Sequence, residues 1–260
     1  MVCRGCRVAR VELGAGGTTA WLVSRSIRYF FVLLALFGIF IASIVFVPKL
    51  PKLAAGTFPL AWVLIIHGAL MGMWLVLFFA QAVLASTGRL ALHRMLGTFG
   101  IVLGFPVWAS MVAVELRKKV VYPLDPDYSS AYDFDLPGIY VYTMFLVFFI
   151  GAICQRRRWL AWHKRFMTFA TFVALQAAEQ RISWLPRFAP DYWTDVIYLD
   201  VFLLVPLFAY DYFSVKRVYP ATIAASCMLL GAQGIVLLTW GNSGWRHLAY
   251  GFTVALRSAL

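Results

Sequence analysis

Two histidines with a cation nearby occur in matching contexts. His93 lies in the segment LHR and His163 in the segment WHKR, and each stands where one membrane-length apolar stretch gives way to the next. Two imidazoles at one depth on separate helices are the arrangement that axial ligation of a b-type haem requires. The spacing therefore makes His93 and His163 candidate haem and metal ligands.

Charged neighbours extend this layer of the sequence. We expect Arg94, Arg165 and Asp211 at the depth of the two histidines, because each lies near the same end of a predicted helix. Guanidinium groups pair with haem propionates or phospholipid headgroups, and a carboxylate can orient an imidazole. In the structural alternative the cations extend to the membrane surface and Asp211 bridges Arg94 or Arg165. Both interpretations stay open on the sequence alone.

A second set of polar side chains lies within the predicted helices, most of them toward the opposite end. Ionisable groups at such depths are costly unless they face the interior of a bundle, so they indicate a functional site. A redox, proton or metal site and a structural salt-bridge network explain the set equally well. These intramembrane polar residues are His67, Gln81, Gln176, Glu179, Arg181 and Asp200.

The elements that must position these residues are transmembrane helices. The chain has 260 residues, of which 62% are hydrophobic and 13% charged, and its mean hydropathy is +0.80. A soluble domain of this length would expose more charge, so most of the chain must face lipid or other helices. No internal repeat is evident. The sequence predicts an all-α polytopic transmembrane helical bundle of about seven spans, at residues 27–47, 59–86, 92–116, 137–154, 163–182, 193–214 and 219–240.

The distribution of charge predicts the surroundings of the bundle. The net charge is +12, but the cations gather at helix ends and form no basic face with interleaved aromatics, so no nucleic-acid partner is expected. Cations are in excess on the side that holds the N terminus, which is typical of the cytoplasmic side. We therefore expect a lipid bilayer as partner, a bacterial inner membrane as location and a cytoplasmic N terminus.

The predicted transmembrane bundle as a whole occupies residues 25–240. Three segments lie outside its spans: one before the bundle, one between two spans and one after the bundle. Residues 1–24 lack the apolar core of a signal peptide and are expected to form a disordered cytoplasmic extension. Residues 117–136 are predicted to form an Asp-rich, ligand-facing loop outside the membrane. Residues 241–260 are too short to span the bilayer and are expected to lie along its interface.

Several motifs together resemble a group of uncharacterised bacterial multi-pass inner-membrane proteins. The matching positions are HG at 67–68, Trp74, Gln81, GRLALHRMLG at 88–97, HKRFM at 163–167, Arg181, and Asp211 followed by a basic residue and PAT at 220–222. This resemblance covers residues 60–240 and implies a fold and a layout of polar residues, but no reaction. A looser similarity to cytochrome-b-like and haem A synthase-like four-helix haem proteins implies haem b as the cofactor.

Three functions are consistent with these observations. The first is a b-type haem-binding electron-transfer protein, in which His67 and Glu179 handle protons or a quinone and a respiratory complex is the partner. The second is a non-catalytic assembly or scaffold protein, whose polar groups join helices. The third is a small proton-coupled transporter built on the second polar layer, although no inverted repeat supports it. No residue type or spacing assigns a catalytic side chain.

Overall fold

The computed structural model describes residues 17–56, 61–124, 130–188 and 192–260 as helices and their connections, with no strand among them. The predicted all-α bundle is therefore confirmed. Residues 1–16 of the predicted N-terminal extension lie outside the described residues. The helices are α1 (Gly17–Phe46), α2 (Leu50–Ala54), α3 (Trp62–Ser86), α4 (Leu90–Val121), α5 (Asp135–Gln155), α6 (Leu160–Glu179), α7 (Tyr192–Val215), α8 (Pro220–Thr239) and α9 (Ser243–Ser258).

Six of the described helical segments are long and apolar enough to cross a membrane. Each offers at least the ~20 residues that a hydrocarbon core of about 30 Å requires. The chain is thus a multi-pass membrane protein. The six segments are Tyr29–Ala54, Trp62–Ser86, Leu90–Val121, Ala131–Gln155, Val196–Val215 and Pro220–Thr239.

Helix α6, the remaining predicted span, is too polar to belong to this set. It has 20 residues, and 13 of them are buried, including the charged Arg165 and Glu179. It packs against α1, α5, α7 and α8. Protein rather than lipid therefore surrounds its polar side chains, and α6 is the central helix of the bundle.

Two helical hairpins, α3–α4 and α5–α6, form a four-helix ring. The turn of the first hairpin places Gly88 at a φ of +77°, a conformation that favours glycine. α4 also packs against α5, and the indole Nε1 of Trp74 on α3 donates to Thr171 Oγ1 on α6 over 3.1 Å. The α3–α4, α5–α6 and α7–α8 turns lie at one end of the bundle, called here the histidine end.

Aromatic side chains fill the middle of this ring. Trp74 is 3% exposed, and its ring centroid lies 5.3 Å from that of Phe145 and 5.6 Å from that of Phe149. Phe149 in turn lies directly against Gly104 of α4, where an alanine β-carbon would overlap the ring. The missing side chain at Gly104 thus lets α4 and α5 approach closely. Helix α4 continues through Pro106 without ending.

The opposite end of the bundle, called here the α9 end, is closed by the amphipathic helix α9. Arg246 binds both carboxylate oxygens of Asp133, and Trp245 Nε1 donates to the carbonyl of Tyr132 over 3.0 Å. The hydrogen bonds to Asp133 raise the pKa of the Arg246 guanidinium. Arg257 donates to the carbonyl of Lys119 over 2.8 Å, at the end of α4.

The segment predicted as an Asp-rich loop is partly helical. α4 extends to Val121, and a 3-10 turn at Ser130–Phe134 leads into α5. Residues 125–129 lie outside the described residues. Asp133 and Asp135 are used in ion pairs with Arg246 and Lys119, so these two carboxylates hold the α9 end together.

Candidate functional site

His93 is the fourth residue of α4 and is fixed to the preceding helix. Its Nδ1 lies 3.2 Å from the backbone carbonyl oxygen of Gln81 on α3. A carbonyl oxygen only accepts hydrogen bonds, so His93 carries its proton on Nδ1. In the neutral ring, Nε2 is then unprotonated and carries a free lone pair.

His163 repeats this arrangement in the second hairpin. It is the fourth residue of α6, and its Nδ1 lies 2.9 Å from the carbonyl oxygen of Ala152 on α5. That carbonyl lies in the last turn of α5, so the imidazole joins the start of α6 to the end of α5. His163 therefore also has its Nε2 lone pair unprotonated in the neutral ring.

The two hairpins share a local structural motif at the matching histidine segments that the sequence analysis singled out. Leu90–Arg94 reads LALHR and residues 160–164 read LAWHK, and both follow a tight turn. The motif is short, and the two turns differ in length by one residue. In each hairpin one histidine joins the start of the second helix to the end of the first.

The ring brings the two imidazoles to one end from opposite sides. α4 packs against α3 and α5, whereas α6 packs against α5 and contacts α3 through Trp74. α4 and α6 therefore face each other across the ring. His163 interacts electrostatically with His93 and with Arg156. Each of the two residues is the fourth of a helix that begins at the histidine end, whereas their pairing as ligands stays a prediction.

Arg165 and Asp211 do not extend this histidine pair but form a separate buried cluster. Arg165 and Asp211 are both 0% exposed and form an ion pair, and Arg165 Nε donates to Thr222 Oγ1 over 2.7 Å. Thr222 donates to the second carboxylate oxygen of Asp211 at 2.5 Å, and the Tyr219 amide donates to the same oxygen at 3.0 Å. The cluster joins α6, α7 and α8, as the structural interpretation expected.

The remaining cations at the histidine end differ in their surroundings. Arg94 is exposed, and none of the ion pairs among the described residues involves it. Lys164 donates to Tyr210 Oη over 3.2 Å and lies 4.9 Å from the centroid of the Phe31 ring. Arg94, which directly follows His93, is therefore one of the exposed cations at this end that are available to a ligand.

The histidine end offers two imidazoles, and the packing of the bundle restricts where any macrocycle held by them could lie. Both Nε2 lone pairs are available, and axial ligation needs only two side chains. The buried rings of Trp74, Phe145 and Phe149 occupy the middle of the ring, so a porphyrin would have to lie at the histidine end. An open cleft of about 580 Å³ at this end is lined by Tyr29, Ala85, Ser86, Thr87 and Gly88, not by either histidine, so it is not the space between the two imidazoles.

The second predicted polar layer is divided among several partners. His67 Nδ1 lies 3.0 Å from Ser110 Oγ, and Ser110 donates its only proton to the Val107 carbonyl over 2.7 Å. Ser110 must then accept from His67, which gives His67 the same tautomer as the other two membrane histidines. Arg181 interacts electrostatically with His67 and donates to the carbonyl of Ala177 in its own helix turn.

The other members of this layer lie on three helices, α3, α6 and α7. Asp200 on α7 accepts a hydrogen bond of 3.1 Å from Gln233 Nε2 on α8. Gln176 and Glu179 are each 1% exposed on α6. Gln81, on α3, has both amide atoms buried without a hydrogen-bond partner, and its Nε2 lies against Gly97.

Among the described residues, no group of three or more His, Cys, Asp or Glu side chains could hold a metal ion. No protein family, curated protein or solved structure matches the chain. The resemblance to uncharacterised bacterial membrane proteins and the looser similarity to haem proteins therefore stay predictions. The helices identify an integral membrane protein, and the chemistry of its polar sites must be argued from geometry.

Sequence reasoning missed three residues that complete these sites. Thr222 bridges Arg165 and Asp211, Ser110 fixes His67, and Gln233 binds Asp200. Each is an ordinary polar residue in an apolar helix, and only Thr222 lies within a motif of the resemblance, PAT at 220–222, which gave it no role. One sequence feature could have identified Thr222 and Gln233 as partners of the two aspartates. They are eleven residues apart, as Asp200 and Asp211 are.

Proposed function

We propose that this membrane protein binds a b-type haem at the histidine end, with His93 and His163 as its two axial ligands, and transfers electrons. The observation that carries the proposal is the shared geometry of the two imidazoles. Each donates from Nδ1 to a backbone carbonyl and keeps an Nε2 lone pair, on helices that face each other across the ring.

The fixed Nδ1 contact supports ligation for a physical reason. Metal-ligating histidines commonly donate their other ring nitrogen to a carbonyl or carboxylate, because this sets both the tautomer and the ring orientation. A bound haem would supply one-electron redox chemistry. The protein would supply the two ligands, the cation Arg94 for a propionate, and the aromatic packing around Trp74 that separates this end from the rest of the ring.

The proposal includes a location and an orientation. The histidine end carries exposed cations at the α3–α4 and α5–α6 turns, among them Arg89, Arg94 and Arg156 to Arg158. Such an excess favours the cytoplasmic side of a bacterial inner membrane. A quinone or a respiratory complex would be the electron-transfer partner.

A second candidate function, a membrane assembly or scaffold protein, is favoured by one specific observation. The buried cluster of Arg165, Asp211 and Thr222 satisfies its own charges and hydrogen bonds, as expected of groups that only join helices. In that function the Nδ1 contacts of His93 and His163 would likewise be structural. Copurification of a respiratory complex with a colourless chain would support this function.

The test is an absorption spectrum of detergent-purified protein from haem-replete cells, oxidised and reduced, together with a haem-to-protein ratio. We expect about one haem per chain with bis-imidazole bands. His93→Gly and His163→Gly should each lose more than about nine-tenths of it. Added imidazole should restore the bands, since it replaces the ligand without the side chain.

Two matched histidine variants serve as controls. His67→Ala removes an imidazole of the same tautomer at the other end of α3, and His247→Ala removes one from α9; both should keep the haem. Size-exclusion profiles separate loss of haem from loss of fold. The proposal would be overturned if the wild-type protein showed no bis-imidazole absorption bands after titration with hemin.

A further inference from the structure

Helices α6, α7 and α8 carry two polar groups that lie about three helical turns apart. Arg165, Asp211 and Thr222 on α6, α7 and α8 are in mutual contact. On each helix, a second polar residue lies eleven residues closer to the α9 end. These residues are Gln176 on α6, Asp200 on α7 and Gln233 on α8. Eleven residues are about three helical turns, or roughly 16 Å, so each side chain returns to the same face of its helix.

One contact confirms this register between two of the helices. Gln233 Nε2 donates to Asp200 Oδ1 over 3.1 Å, at the level that the spacing requires. α6 packs against both α7 and α8. Gln176 therefore lies on the same face of α6 as Arg165, the face that is turned toward α7 and α8. Its level in the bundle is that of Asp200 and Gln233.

The second group lacks the cation that completes the first. Asp211 has the guanidinium of Arg165, whereas the described part of the chain gives Asp200 only the amide of Gln233. α8 contains no ionisable Lys, Arg or His. Arg181, two residues beyond the end of α6, donates to the carbonyl of Ala177. A membrane-embedded carboxylate without a cation is strongly unfavourable.

The two glutamines have unused oxygen ligands. Gln176 is 1% exposed, and neither its amide oxygen nor its amide nitrogen has a hydrogen-bond partner. Gln233 is 2% exposed, and its Oε1 is likewise without a partner while its Nε2 is held by Asp200. Buried polar atoms are rarely left unpaired, so these amides indicate a ligand that accepts oxygen donors.

We propose that Asp200, Gln176 and Gln233 form a binding site for a monovalent alkali cation, such as Na⁺, between α6, α7 and α8. Hard cations bind carboxylate and carboxamide oxygens. A single carboxylate favours a single positive charge, because a divalent ion would leave a net charge in a low-dielectric interior. The bound cation takes the place that the Arg165 guanidinium fills three turns away. This site is separate from the histidine end and does not depend on haem.

The first measurement is equilibrium dialysis of the wild-type protein against ²²Na⁺ in choline chloride. We expect about one ion per chain, displaced by unlabelled NaCl. The second measurement is the thermal unfolding midpoint, Tm, in NaCl, KCl and choline chloride at equal ionic strength and pH. A ligand that binds only the folded state raises Tm, here by about 5 °C at saturation.

The variants separate this site from general effects of salt. Asp200→Asn should lose both ²²Na⁺ binding and the Tm response, and Gln176→Leu should weaken binding by at least about tenfold. Gln81→Leu is the matched control, since it removes another glutamine amide with unpartnered buried atoms from a different hairpin, and it should keep the response. Absence of ²²Na⁺ binding to the wild type would overturn the proposal. Stabilisation by lower pH alone would assign the site to a proton and would overturn it as well.

Discussion

Arg165 and Asp211 form an ion pair in which neither side chain is accessible to solvent. The pair joins the central helix α6 to α7, and Thr222 extends it to α8 by bonding both partners. Tyr219 covers the guanidinium, with its ring centroid 4.2 Å from Arg165 Cζ. Since most of α6 is buried and its polar side chains are surrounded by protein, this cluster stabilises the position of the central helix.

Removal of one charge from this pair should destabilise the fold. Asp211→Asn keeps the shape of the side chain but leaves the Arg165 guanidinium buried without a counter-charge. Breaking one side of a buried pair typically lowers the free energy of unfolding by about 3–5 kcal/mol. Thermal unfolding of the detergent-purified variant measures the loss.

A double variant distinguishes charge from packing in this cluster. Arg165→Met combined with Asp211→Leu removes both charges while keeping similar volumes, and such exchanges are often neutral or stabilising. We expect the double variant to be more stable than Asp211→Asn. Equal instability of the two would contradict the view that an unpaired charge is the cause.

The contact between Gly104 and Phe149 should tolerate no added carbon. Gly104→Ala places a methyl group into the Phe149 ring and should lower stability by about 1–3 kcal/mol, a typical cost of overpacking. Gly72→Ala is the matched control, because nothing lies within 4 Å of its β-carbon position. That control should be neutral or more stable, since alanine favours helix by up to ~1 kcal/mol. Thermal unfolding measures both variants, and equal effects would show that close packing does not matter here.

The positions of the spans could be predicted because hydrophobicity and proline act locally. The predicted span at 219–240 agrees with α8, which begins at Pro220, where the fixed ring conformation suits a first helical residue. The common depth of His93 and His163 followed from the same count of spans. The expected depth of Asp211 and Arg165 also predicted that these two residues could pair with each other.

The partners of the polar groups could not be predicted, because they depend on how helices rotate against one another. Gln233 and Ser110 are single polar residues in apolar helices, and only the contacts with Asp200 and His67 give them a role. The layer predicted from depth alone therefore combined Asp200 with Arg181, which have different partners in the fold. Depth can be counted in a sequence, whereas helix facing requires the packed bundle.

The two histidine turns should be on one side of the membrane. In a background with all four cysteines replaced by serine, Thr87→Cys and Arg157→Cys introduce exposed thiols at the α3–α4 and α5–α6 turns, and Tyr122→Cys introduces one at the α9 end. With the cation-rich histidine end inside, a membrane-impermeant maleimide should label position 122 in intact spheroplasts. Positions 87 and 157 should react only after permeabilisation.

The pattern of labelling tests orientation and pairing separately. Labelling of positions 87 and 157 from outside, with position 122 protected, would reverse the orientation but leave the two histidines together. Labelling of 87 and 157 from opposite sides would place His93 and His163 at opposite faces of the bilayer. No single haem could then have both as ligands, because the hydrocarbon core alone is about 30 Å thick.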